Sequence, residues 1–141
     1  MVDCVKEGLF MLYTGSFRSI RPDDYDQIWL CVRSLKHMPK NPNQNIFHVP
    51  VLSPSFELFK ATLELKQAKK WNKDIFDKWF APRFAHEMLT PEAQAKLKEL
   101  AELSKIKNIL IVCYCPDENL CHRSVLKFII DKMHAGYSMI T

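Results

Sequence analysis

Residues 108–114 read NILIVCY, and residues 115–130 continue CPDENLCHRSVLKFII. The first seven are a continuous, largely β-branched apolar run of strand length, the pattern of a strand covered on both faces. Pro116 ends the run, because a proline cannot donate to the ladder. From about Leu120 the apolar residues change period. Val125 and Leu126, Ile129 and Ile130, and then Met133 recur at helical spacing, with Lys127 and Asp131 as an i,i+4 pair.

Working outward, GLFMLYTGS (8–16) reads as a first strand that turns at Gly15. QIWLCVRS (27–34) is a second, in which Ile28, Leu30 and Val32 alternate with Trp29, Cys31 and Arg33. MPKNPNQN (38–45) is a loop, and NIFHVPVL (45–52) is a short strand that Pro50 confines to a sheet edge. Helical signals follow. SPSFELFKATLELKQAKK (53–70) offers Ser53 as N-cap, Pro54 as first residue, and Phe56, Phe59 and Leu63 as an apolar stripe. NKDIFDKWFAPRFAHEM (72–88) puts Ile75, Phe76, Trp79 and Phe80 on one stripe, which Pro82 should break or kink. TPEAQAKLKELAELSK (90–105) has Thr90 as cap, Pro91 as first residue, and a stripe of Ala93, Leu97, Leu100 and Ala101. The aromatic stripes are read as core rather than as a ligand box. Strands near the start, helices in the middle and a buried strand feeding a last helix predict an α/β fold: one domain over 1–141, with a mainly parallel sheet and helices on both faces.

With 141 residues, 48% of them hydrophobic, the chain can bury a core without staples. No apolar run approaches the roughly 18–20 residues of a membrane span. MVDCVKEGLFMLY carries two acidic residues where a signal peptide would be basic, so a soluble cytoplasmic protein is expected. The five cysteines are an odd number. Cys113 and Cys115, about 6.5 Å apart on one face of a strand, are badly placed to bridge, and reduced thiols are expected. The net charge of +4 is mild, and Lys and Glu alternate through 57–107 as on any solvated helix face, so a nucleic-acid partner is only weakly supported.

In open α/β sheets ligands bind beyond the carboxyl ends of the strands, against helix N-termini. CYCPDENLCHRS sits at such a crossing. If Asp117 or Asn119 caps the helix, Cys121, His122 and Arg123 occupy its first turn, where unpaired N–H groups, the dipole and a guanidinium fork favour an anion. The same placement lowers a thiol's pKa, so Cys121 could be a thiolate, with Cys113 or Cys115 as redox partner or nucleophile. A metal is not expected: C-x-C-x5-C-H is not a common zinc knuckle, and adjacent residues in a helical turn diverge by about 100°. Zinc or iron is a lesser alternative, and a purely structural Cys113 another. A tyrosine-phosphatase-like loop fails, because position 119 is Asn and position 121 is Cys where Cys113 and Cys115 would each need an arginine six residues on.

LIVCYCPDENLCHRSVL resembles the C-terminal signature of the domain-of-unknown-function family numbered four-eight-eight: an apolar strand, Leu-Leu-Cys-Tyr-Glu, a five-residue loop, then Cys-His-Arg and a helix. LYTGSF (12–17), CVRS (31–34) and LSPSFELF (52–59) resemble its earlier motifs in the same order, over residues 12–134. The resemblance implies an intracellular α/β domain of bacterial or phage origin. It nominates Tyr13, Thr14, Ser16, Arg33, Pro54, Ser55, Cys113, Cys121, His122 and Arg123. The chain departs from the family at Cys115, where the family usually has a glutamate able to serve as general acid or base. Hydroxyls from strand one, an arginine from strand two, a Pro-Ser helix start and Cys-His-Arg suit a nucleotide-like or other phosphorylated small molecule. On this reading Tyr13, Thr14, Ser16, Arg33, Ser55 and Arg123 hold the ligand, and Cys113, Cys115, Cys121 and His122 do the chemistry, leaning towards an enzyme of open reaction type. The alternatives are a thiol-redox or metal-binding domain using Cys113, Cys115, Cys121 and His122, and a noncatalytic, phage-borne interaction protein acting on a host factor.

Overall fold

The structure, a computed structural model, describes residues 12–35, 45–115 and 117–136. The expected strand start at 8–11, most of the 38–45 loop and Pro116 lie outside them. Four strands, β1 (Leu12–Ser16), β2 (Gln27–Leu30), β3 (Ile46–His48) and β4 (Ile109–Cys113), form one sheet in the order β1-β4-β2-β3, every pair parallel. The NILIVCY run supplies the interior strand β4, buried at all five positions, as its doubly apolar pattern requires. β3 is an edge strand, and Pro50 falls just beyond it in a 3₁₀ turn (Pro50–Leu52), where its missing N–H costs no ladder bond. Gly15 does not turn the chain: it continues β1 opposite Val112, and the turn begins at Phe17.

Besides a three-residue helical turn at Lys73–Ile75, the α-helices among the described residues are α1 (Phe56–Gln67), α2 (Ala81–Glu87), α3 (Pro91–Leu103) and α4 (His122–His134). α3 follows the sequence signals closely: Thr90 Oγ1 accepts from Ala93 N at 3.3 Å, and Ala93, Leu97, Leu100 and Ala101 are buried. α1 does not begin where expected. Ser53 turns its hydroxyl back to the Pro50 carbonyl, and Ser55 is the cap, accepting from Leu58 N at 3.1 Å. Its predicted stripe is also displaced, since Phe56, Phe59 and Leu63 are exposed while Leu58 and Thr62 face inward. Pro82 does not end its helix. A π turn over Phe76–Phe80 precedes it, in which Ala81 N reaches back five residues to the Phe76 carbonyl, and α2 continues through the proline.

Two cores flank the sheet. Leu12, Trp29, Ile109 and Ile111 pack with residues of the α-helices, among them Phe84, Leu97, Leu126 and Ile129. On the opposite face Ile28, Leu30, Leu110 and Val112 pack against Phe17, Ile20 and Tyr25 around the 3₁₀ turns Phe17–Ser19 and Pro22–Asp24. Helical cover therefore lies on both faces, with the described α-helices on one and 3₁₀ turns on the other. No helix among the described residues is long and apolar enough to cross a membrane.

Candidate functional site

The parallel register brings the four strand ends level to within one residue. Ser16 lies opposite Cys113, and Leu30 opposite both Val112 and His48. Beyond this carboxyl edge opens a cavity of about 650 Å³. Cys113, Cys121 and His122 line it together with Cys115. Its aromatic lining includes Phe56, Phe59, Trp71 and Tyr114, and Arg33 and Lys66 supply positive charge.

The α4 start differs from expectation in a way that shapes the site. Asp117 caps a 3₁₀ turn (Glu118–Leu120), accepting from Asn119 N at 3.0 Å, and Cys121 is itself the α4 N-cap, with extended backbone (φ −130°, ψ 146°). Cys121 therefore stands outside the first helical turn. Its sulfur meets Cys113 Sγ in direct contact, across a Cα–Cα distance of 7.9 Å, and lies 3.6 Å from His122 Nδ1. Cys31 and Cys115 are free, as expected, whereas Cys113 and Cys121 are paired with each other.

His122 is held from its far side: Nε2 lies 2.7 Å from the Cys31 carbonyl. A carbonyl only accepts, so Nε2 carries the proton and Nδ1 presents its lone pair to the sulfurs. Burial lowers the His122 pKa to about 4; the bond to Cys31 pulls the other way, and neighbouring Arg123 lowers it further. Phe84 packs edge-on against the ring at 5.3 Å between centroids. His122 is thus a neutral imidazole directed at the Cys113–Cys121 sulfur pair rather than an acid offered to a ligand. Burial also pushes the Cys31 thiol well above its ordinary value, marking it as a core residue.

Arg123 overturns its predicted role. It is 3% exposed, and its Nη1 donates to Cys113 Sγ at 3.0 Å and to the Cys115 carbonyl at 2.6 Å. It clamps the end of β4 and does not line the cavity. Four other nominated residues also lie off the cavity wall. Tyr13 packs edge-on to Tyr25, Thr14 donates to Glu118, and Ser16 Oγ accepts from Arg18 N. Ser55 gives its hydroxyl to Glu87 Oε2, while its N–H donates to Oε1 at 2.8 Å. Arg33 does reach the mouth, steadied by Nε donating to the Pro54 carbonyl at 2.9 Å. Sequence reasoning missed Phe56, Phe59, Lys66 and Trp71. For Phe56 and Phe59 the signal was an apolar helical stripe, which an inward-facing helix would show equally well; Lys66 and Trp71 fell in no such pattern.

The model of the DUF488-N3a family, described as the active DUF488-N3 subclade, matches residues 13–134. The chain belongs to this family. The match spans the strand ends, the helix start at Ser55 and the Cys-His-Arg segment of the DUF488-N3a fold just described. No curated protein and no solved structure matches the chain.

Proposed function

We propose that the cavity binds a nucleotide-like or other phosphorylated small molecule, and that the Cys115 thiol, with Cys113, Cys121 and His122 once the sulfur pair is reduced, acts on it. The observation that carries this reading is the combination of an aromatic wall, two side-chain cations and a cysteine–histidine floor around one opening at the carboxyl edge of a parallel sheet. A volume of about 650 Å³ falls within the range of roughly 300–1,000 Å³ typical of small-molecule sites. Phe56 and Phe59, which are exposed, and Trp71 offer faces for a planar ring. Lys66, 5.4 Å from the Trp71 ring centre, and Arg33 supply charge for phosphate, the role first assigned to Arg123.

Thermal-shift titration tests the reading. Inorganic phosphate and nucleoside mono- and triphosphates should raise Tm, the nucleotides more than phosphate and more than the matching nucleosides. A ligand at 100 times its Kd stabilises by about 2.7 kcal/mol. Arg33→Ala and Lys66→Ala should each reduce the shift. If no phosphate-bearing compound moves Tm, or the shift survives both substitutions, the cavity is not an anion site.

A further inference from the structure

We infer that Cys113, Cys121 and His122 form a three-ligand site for a soft divalent transition ion such as zinc, whose fourth position opens into the cavity. Cys113 Sγ, Cys121 Sγ and a ring nitrogen of His122 all lie within 4.8 Å of one another, Nδ1 being the nitrogen 3.6 Å from Cys121 Sγ, and all three residues are buried. The assignment does not rest on the phosphate reading, since it concerns only these three atoms and their supports.

Four features carry it. The first is the tautomer: the Cys31 carbonyl holds the proton on Nε2, so Nδ1 points at the sulfurs as a free donor. Histidines that bind metals are commonly fixed in this way by a carbonyl on the far nitrogen. The second is spacing. Metal bonds of about 2.3 Å to thiolate and about 2.0–2.1 Å to imidazole, at a tetrahedral angle, hold the donors roughly 3.5 Å apart. Cys121 Sγ and His122 Nδ1 stand 3.6 Å apart. The sequence objection, that neighbours in a helical turn diverge, does not hold, because Cys121 is an extended N-cap and only His122 is helical.

The third feature is the backbone. Cα atoms of disulfide-bonded cysteines usually lie about 4.4–6.8 Å apart. Those of Cys113 and Cys121 are 7.9 Å apart, which leaves room for the sulfurs to separate around an ion. The fourth is charge. Two thiolates neutralise a divalent ion, their protons leaving to solvent on binding, and Arg123 Nη1 donates to Cys113 Sγ as a supporting hydrogen bond to the thiolate. The donor set, two soft sulfurs and one imidazole, favours zinc-class ions over magnesium or calcium. Because all three ligands line the cavity, a water or a ligand oxygen can complete the coordination from that side.

The test is cobalt(II) titration of the full chain, reduced and stripped of metal, with no nucleotide or phosphate present. The expected result is saturation at one ion per chain, with thiolate-to-cobalt charge-transfer absorption and the visible bands of a four-coordinate site, both bleached by added zinc. Cys113→Ser and Cys121→Ser should each lose most of the charge-transfer intensity, and His122→Gln should shift the visible bands. Cys115→Ser should leave the spectrum unchanged. Circular dichroism of each variant checks that it has folded. Absence of thiolate absorption in the reduced wild-type chain overturns the site and leaves Cys113 and Cys121 as a redox pair. Absorption that survives both serine variants, or that disappears in Cys115→Ser, overturns this ligand set. The nucleotide thermal shifts are read separately, so either idea can fail alone.

Discussion

Arg123→Met separates a structural guanidinium from a ligand-holding one. A cation in the first turn of a helix opposes the local dipole by roughly 0.3–1 kcal/mol at an exposed site. Arg123 is instead buried, and two bonds from Nη1 tie α4 to the end of β4, at 3.0 Å to Cys113 Sγ and 2.6 Å to the Cys115 carbonyl. Hydrogen bonds from a charged donor are worth about 1.5–3 kcal/mol each, and a sulfur acceptor belongs at the low end. Against this, the substitution removes a buried charge whose Nε has no partner among the described residues, and methionine refills much of the volume. The balance is a loss of about 2–4 kcal/mol, or roughly 10 °C in Tm for a chain of this size. The assay is urea unfolding of the reduced, metal-free protein with and without phosphate. Arg123→Lys, able to replace only part of the fork, should fall between wild type and Arg123→Met and keep its full phosphate-induced shift. The reasoning is refuted if Arg123→Met stays within about 0.5 kcal/mol of wild type. A lysine variant that keeps its stability but loses the phosphate response would refute it too.

Glu87→Ala should destabilise by about 1–2 kcal/mol in chemical denaturation. It removes the carboxylate that accepts from both the N–H and the hydroxyl of Ser55, and so loosens the α1 start that carries Phe56 and Phe59. Glu87→Gln, which keeps an acceptor, should lose less. In the folded reduced chain, iodoacetamide should label Cys115 before Cys31. Cys115 is only partly buried and lines the cavity, whereas Cys31 is fully buried with its thiol pKa raised. Peptide mapping showing equal rates would mean that the edge of β2 opens readily.

Local pattern determined much of this protein. A doubly apolar run made NILIVCY an interior strand, the Thr90-Pro91 start and the 3.6-residue stripe made α3, and Pro50 placed β3 at an edge, because periodicity, capping and a missing N–H act within a few residues. The clustering of Cys113, Cys115, Cys121 and His122 beside Arg33 was legible for the same reason, since strands in a parallel sheet end at a common edge. Side-chain direction was not legible. Whether Arg123 points to a ligand or into the protein depends on Cys113 Sγ and the Cys115 carbonyl accepting its protons. Whether Ser53 or Ser55 caps α1 was decided by Glu87, 32 residues beyond Ser55. Phe56 and Phe59 match the pattern of a core stripe, and only the packing of α1 through Leu58 and Thr62 turned them to the cavity. The His122 tautomer likewise rests on a carbonyl 91 positions away, on β2's continuation. A repeating pattern shows which residues share a face of an element, but which face is covered is set by distant groups, which only the folded chain brings into contact.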